Sequence, residues 1–131
     1  MTKIVVNGTF DILHPGHVEM LNYARSLGAY LLVLIDSDRR VKELKGNTRP
    51  VNNQRDRQFL LKNLKAVNDV WIFDNDKELV EKIKFFTPDI MVKGSDYINT
   101  PIIGQEFVKR IEFYDRTDHS TTKIIEHIIN R

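Results

Sequence analysis

The feature that most constrains this chain is a pair of short, wholly apolar runs set about two dozen residues apart. Lys3 to Asn7 reads K-I-V-V-N and is closed by Gly8, and Tyr30 to Ile35 reads Y-L-L-V-L-I. Neither run alternates polar with apolar residues, so each suits a strand covered on both faces. Between them Val18, Leu21, Ala24, Arg25 and Leu27 recur at near-helical spacing, and Gly28 stands where a helix stops. The four features together make one β-α-β unit.

The order then repeats. The pattern predicts a helix from about Asn53 to Leu64, a strand Asp69 to Phe73, a helix Lys77 to Phe85 and a strand Ile90 to Val92. A short helix near Gly104 to Lys109, a strand Ile111 to Tyr114 and a final helix Ser120 to Asn130 complete it. Alternation of buried strands with helices implies the α/β class, a doubly wound parallel sheet of about five strands. One domain spanning residues 1–131 is expected, because a chain of that length supports a single core. The four prolines, Pro15, Pro50, Pro88 and Pro101, fall in predicted connections, and Lys42 to Asn53, the longest polar stretch, is expected to be a mobile loop.

Composition limits the chemistry. With 41% hydrophobic and 29% charged residues the chain reads as an ordinary globular protein. The absence of cysteine excludes disulfides and thiolate chemistry. The apolar run after Met1 is too short for a signal peptide or a membrane span, so a cytoplasmic location without membrane partners is expected. A net charge of +2 lacks the concentrated positive stripe of a duplex-binding module, and an anionic small molecule fits it as well as nucleic acid does.

In sheets of this kind ligands gather at the carboxyl ends of the strands, where strand order reverses. After the first strand come Gly8, Thr9, Phe10 and Asp11, and then His14-Pro15-Gly16-His17 leads into the first helix. A helix N-terminus offers unpaired N–H donors and a positive partial charge, a natural phosphate site. Gly8 and Thr9 would add amide donors, Gly16 would let a ligand approach the backbone, and His14 and His17 can point to one side. Singly, these residues are also explained by a turn at Gly8, a first-turn proline and surface histidines. Histidines at helical spacing can ligate zinc, but there is no cysteine and no H-E-x-x-H pattern, and His119 and His127 lie far along the chain. No protein-held metal is expected.

Further candidates follow the other strands. Lys93-Gly94-Ser95-Asp96-Tyr97 would form another wall of the same crevice. Ser120, Thr121 and Thr122, preceded by Arg116, would cap the last helix toward it. Asp36, Asp38, Lys42 and Lys45 follow the second strand, and Arg57 lies on the next predicted helix. Each basic residue is equally explained as solvated surface.

The run G-T-F-D-I-L-H-P-G-H resembles the G-x-F-D-x-x-H-x-G-H signature of the cytidylyltransferase-like nucleotidyltransferases, and S-T-T-K-I-I resembles their triphosphate-binding motif. The resemblance covers essentially the whole chain. It implies a Rossmann-like fold, a homodimer, and transfer of a nucleoside monophosphate from a nucleoside triphosphate to a phosphorylated sugar or polyol. Mg²⁺ is implied as a companion of the triphosphate. His14, His17 and Lys45 would be catalytic, and Gly8, Thr9, Phe10, Gly16, Lys42, Gly94, Arg116, Ser120, Thr121 and Thr122 would bind the nucleotide. The acceptor would fall to Asp11, Asp36, Asp38, Arg57, Lys93 and Asp96. An anionic phosphate oxygen of the acceptor can attack the α-phosphorus itself, so no side chain is needed as a nucleophile.

Leu44 to Asn52 and Val92 to Tyr97 resemble the adenylyltransferases that make ADP-heptose from a heptose 1-phosphate, which points to ATP. Arg116-Thr117 resembles the glycerol-3-phosphate cytidylyltransferases, with spacing one residue shorter, which points to CTP. Ile102 to Glu112 is shorter than in the heptose enzymes and no sugar kinase segment is attached, so a stand-alone transferase for a different sugar phosphate is an alternative. A nucleotide-binding module without chemistry would keep Gly8 and the S-T-T cap but would not need both histidines. The H-x-G-H element is also similar to that of class I aminoacyl-tRNA synthetases, but the chain is too short for their tRNA-binding parts and has no K-M-S-K-S run.

Overall fold

A computed structural model of the chain describes residues 1–115 and 121–130, with the side chains of Thr121 and Thr122 outside that description. Five strands run parallel in the order β3-β2-β1-β4-β5. They are β1 (Lys3–Gly8), β2 (Tyr30–Asp36), β3 (Asp69–Phe73), β4 (Ile90–Gly94) and β5 (Arg110–Tyr114). The helices between and after them are α1 (Pro15–Ser26), α2 (Asp38–Lys45), α3 (Gln54–Lys62), α4 (Asp76–Phe86) and α5 (Thr121–Asn130).

The sheet sorts its residues by the two-residue period of a strand. Ile4 and Val6 of β1 join Leu21 and Ala24 of α1 and Leu61 of α3 in one apolar cluster. Val5, between them, points the other way and joins Leu79, Ile83 and Phe86 of α4. Both faces of β1 are therefore dry, which is why its sequence is continuously apolar. β1 pairs with β2 from Lys3↔Tyr30 to Gly8↔Ile35, and on its other side with β4 through Ile4↔Ile90 and Val5↔Met91. The chain moves outward from β1 to β3 and then returns to β4 beside β1. That reversal opens a crevice at the carboxyl ends of β1 and β4.

The expected doubly wound sheet is present, with three corrections of detail. The segment Lys42 to Asn53 is not one loop, because Lys42 to Lys45 are the last turn of α2. Only Val41 of that helix is buried, so the periodic apolar signal that marks a helix is missing from its sequence. Ser37 nevertheless caps it by accepting a bond from the Arg40 amide. The short helix expected near Gly104 is a single 3-10 turn, Gln105–Phe107. Pro15, expected in a connection, is the first residue of α1, where its missing N–H costs nothing.

Candidate active site

The crevice is a cleft of about 460 Å³ whose lining includes Gly8, Thr9, Phe10, Asp11, His14, Gly16 and His17 from the β1–α1 connection. Asp36, Arg40, Lys45 and Arg49 border it on one side, and Lys93, Gly94 and Tyr97 on the other.

The β1–α1 connection is held under strain. Phe10 and Ile12 both have positive φ, 54° and 46°, a region costing of order 1 kcal/mol for a residue with a Cβ. Asp11, between them, anchors this backbone from outside. Its Oδ2 accepts the Val51 amide at 2.7 Å and its Oδ1 accepts the Asn52 amide at 2.8 Å. Oδ1 also takes the amide of Ile12 at 3.1 Å. Asp11 was expected to meet the acceptor; the structure instead uses its carboxylate to clamp the 49–52 segment against the cleft.

The histidines enter α1 as a reciprocal cap. His14 is the N-cap, and its Nδ1 accepts the His17 amide at 3.4 Å, while His17 Nδ1 accepts the His14 amide at 3.3 Å. This is a capping box built from two imidazoles instead of a hydroxyl and a carboxamide. Each Nδ1 is an acceptor, so each neutral ring carries its hydrogen on Nε2. The rings stack at 3.7 Å between centroids, 20° from parallel, and Phe10 lies 5.1 Å from His17. The same contacts that end the helix thus set the tautomer and orientation of both donors.

The charges around the cleft fall into two groups. Asp36 is neutralised by Arg40 at 3.0 Å and accepts the Thr9 hydroxyl at 3.0 Å. Lys45 and Lys93 also line the cleft, and Lys93 stands 4.5 Å above the Tyr97 ring. Among the charged residues that line the cleft, Arg40, Lys45, Arg49 and Lys93 outnumber Asp11 and Asp36, and with the α1 N-terminus beside them the cleft suits a polyanion.

Several expected site residues stand elsewhere. Arg57 is buried, and its guanidinium is occupied. Nε donates to Asn52 O, Nη1 to Thr9 O and Asp36 O, and Nη2 to Asp38 Oδ1. It ties the ends of β1 and β2 to α3 instead of meeting an acceptor, and Asp38 is its counter-ion. Lys42 and Asp96 are exposed and do not line the cleft. Arg116 and Ser120 lie outside the described residues, as do the side chains of Thr121 and Thr122. Among the described residues, no group of three His, Cys, Asp or Glu side chains is placed to hold a metal ion.

Sequence reasoning missed Arg40 and Arg49 as wall residues, whereas Tyr97 belongs to the stretch Lys93 to Tyr97 that was expected to form a wall and does line the cleft. Arg40 stands four residues after Asp36, a helical pairing distance, but it signals nothing until α2 is recognised. Arg49 lies inside Leu44 to Asn52, but its type alone does not separate it from a solvated arginine.

The model of the cytidylyltransferase-like family matches residues 5–127. Bifunctional protein HldE of Campylobacter fetus subsp. fetus (strain 82-40) is 48% identical over 128 residues, 97% of this chain and 28% of that protein. Bifunctional protein HldE of Helicobacter pylori (strain Shi470) is 46% identical over 128 residues, 96% of this chain and 27% of that protein. The chain therefore spans under a third of the length of these curated relatives. Among solved structures, the lipopolysaccharide core biosynthesis protein from Thermoplasma volcanium GSS1 superposes with a TM-score of 0.70 at 25% identity. That superposition covers 88% of this chain and 99% of the other. The family match begins inside β1 and ends inside α5, so it takes in every strand of the sheet, and on it the chain belongs to the cytidylyltransferase-like family.

Proposed function

We propose that the chain transfers an adenylyl group from ATP to a sugar 1-phosphate of the heptose 1-phosphate type, forming an ADP-sugar and releasing pyrophosphate. One observation carries the choice of substrates. The two stretches that resemble the ADP-heptose-forming adenylyltransferases contribute Leu44, Lys45 and Arg49, and Val92, Lys93, Gly94 and Tyr97, to opposite walls of the cleft that holds His14 and His17. Residues in those walls shape the acceptor and base pockets, whereas the histidines serve the triphosphate common to the family.

The chemistry needs alignment and charge stabilisation. An oxygen of the sugar 1-phosphate, already anionic, forms a bond to the α-phosphorus, and the bond from that phosphorus to the bridging oxygen of the β-phosphate breaks. Charge accumulates on the equatorial oxygens and on the departing pyrophosphate. The Nε2–H groups of His14 and His17, fixed before substrate arrives, are donors that need no reorganisation in the transition state. Lys45 and Lys93 neutralise phosphate charge. Asp11 and Asp36 are already paired, so Mg²⁺ enters as part of the nucleotide substrate, coordinated chiefly by phosphate and water. A cytoplasmic location and a homodimer belong to the same proposal and are carried by the family resemblance; sedimentation velocity tests the dimer.

The test is competition. Equal ATP and CTP are offered with heptose 1-phosphate, and separately with glycerol 3-phosphate, and the products are identified. An ADP-sugar from heptose 1-phosphate is expected. A CDP product in excess would overturn the nucleotide, and nucleotide binding without pyrophosphate release on either acceptor would overturn the transferase.

A further inference from the structure

We propose that Arg49 is an anion receptor of the cleft, taking a phosphoryl oxygen of a substrate, and that Asp11 is the positioning residue that holds it there. The proposal rests on the transferase reading but concerns a residue outside both the histidine motif and the S-T-T motif.

Three arginines stand around the end of β1 and β2, and the protein treats them differently. Arg57 is fully buried and donates to three carbonyl oxygens and to Asp38. Arg40, 14% exposed, donates to Asp36 and Asp76. Arg49 is as secluded, at 13%, yet its Nε is buried with no hydrogen-bond partner among the described residues. The nearest charge is Asp11 Oδ2 at 3.5 Å, beyond good hydrogen-bond distance. That oxygen already accepts the Val51 amide at 2.7 Å, so its attraction for Arg49 is Coulombic. A secluded guanidinium is costly unless its donors are satisfied. Here the residue lines the same cleft as Lys45 and His14, and with no protein acceptor fixing Nε the guanidinium can turn to meet a ligand that enters it.

The chemistry of the group names the ligand. A guanidinium presents parallel N–H donors that match two oxygens of one phosphoryl group. Asp11 fixes the approach through the backbone: by binding the amides of Val51 and Asn52 it sets the segment that carries Arg49. The phosphoryl group can belong to the triphosphate or to the acceptor, and these sources separate by experiment.

Arg49→Gln, Arg49→Lys and wild type are compared for melting temperature, for KM of nucleotide and of sugar 1-phosphate, and for thermal protection by inorganic pyrophosphate and by inorganic phosphate. Arg49→Gln is expected to raise one KM by about 10- to 100-fold, the loss of a charge-assisted bond, and Arg49→Lys to fall between it and wild type. A raised nucleotide KM with lost pyrophosphate protection assigns the triphosphate. A raised acceptor KM with lost phosphate protection assigns the acceptor. Asp11→Asn keeps Oδ1 but cannot accept at the other position, so it should raise the same KM, and the double variant should go no further than Arg49→Gln alone. Full additivity would overturn the positioning role.

Unchanged KM and protection in Arg49→Gln overturn the receptor, as does a wild-type protein that neither ion protects. Should Arg49→Gln fail to fold, Arg49→Lys carries the test: an ammonium cannot make the forked contact, and wild-type values in it refute the proposal. If wild type forms no nucleotide sugar yet shows Arg49-dependent protection, the transferase reading fails while the receptor stands.

Discussion

His17 holds two bonds through one ring, and replacing it by Ala and by Asn should separate them. Its Nδ1 accepts the His14 amide at 3.3 Å as half of the capping box, while its ring stacks on His14 at 3.7 Å. Ala removes both contacts. A lost cap costs about 1 kcal/mol, which for a domain of this size lowers the melting temperature by roughly 3–6 °C. Asn places a carbonyl oxygen near the position of Nδ1 and restores the cap, but it has nothing at the position of Nε2. Both variants should therefore lose turnover by about 10²–10³-fold, the effect of deleting one transition-state donor, while only His17→Ala melts early. The assay is pyrophosphate release at saturating nucleotide and sugar 1-phosphate, with thermal denaturation run in parallel. Wild-type turnover in His17→Asn would refute the donor role. So would a His17→Ala protein whose lost activity follows its unfolding and returns on cooling.

Other outcomes follow from the same geometry. Lys45→Ala should raise the nucleotide KM or slow the chemical step by about tenfold or more, whereas Lys42→Ala, outside the cleft lining, should match wild type; steady-state kinetics of the pair checks this. Arg57→Leu would strand the Asn52, Thr9 and Asp36 carbonyls and Asp38, at a cost of about 3–5 kcal/mol, read by urea denaturation. Asp89 is held below the ordinary carboxylate range, first by the Lys3 amide and then by Lys109. Its depressed value means the folded state binds the proton less readily than the unfolded one. It therefore contributes stability above about pH 4 that is lost as pH falls further. Asp89→Asn should flatten that acid limb in melting curves taken from pH 7 to pH 3.

The sequence by itself determined the sheet. Ile4, Val5 and Val6 are apolar without alternation because both sides of β1 are dry, and that requirement is written one residue at a time. The ordered run from Gly8 to His17 was legible for a similar reason: a strand end, a tight connection and a capped helix start are local, and local geometry restricts residue types strongly.

What the sequence could not show is where polar side chains end their reach. Asp11 and Arg57 read as acceptor contacts because the family resemblance implies binding residues at their positions. Tertiary structure decided otherwise: Asp11 meets the amides of Val51 and Asn52 some forty residues on, and Arg57 bridges back to Thr9, 48 residues away in sequence. The short α2 escaped notice because Val41 is its one buried residue, so its helical state rests on its cap and on packing rather than on an apolar stripe. Hydrogen-bond partners and burial are properties of the folded contact map, and a long flexible side chain can satisfy many partners. Only the arrangement of the strands settles which of them it meets.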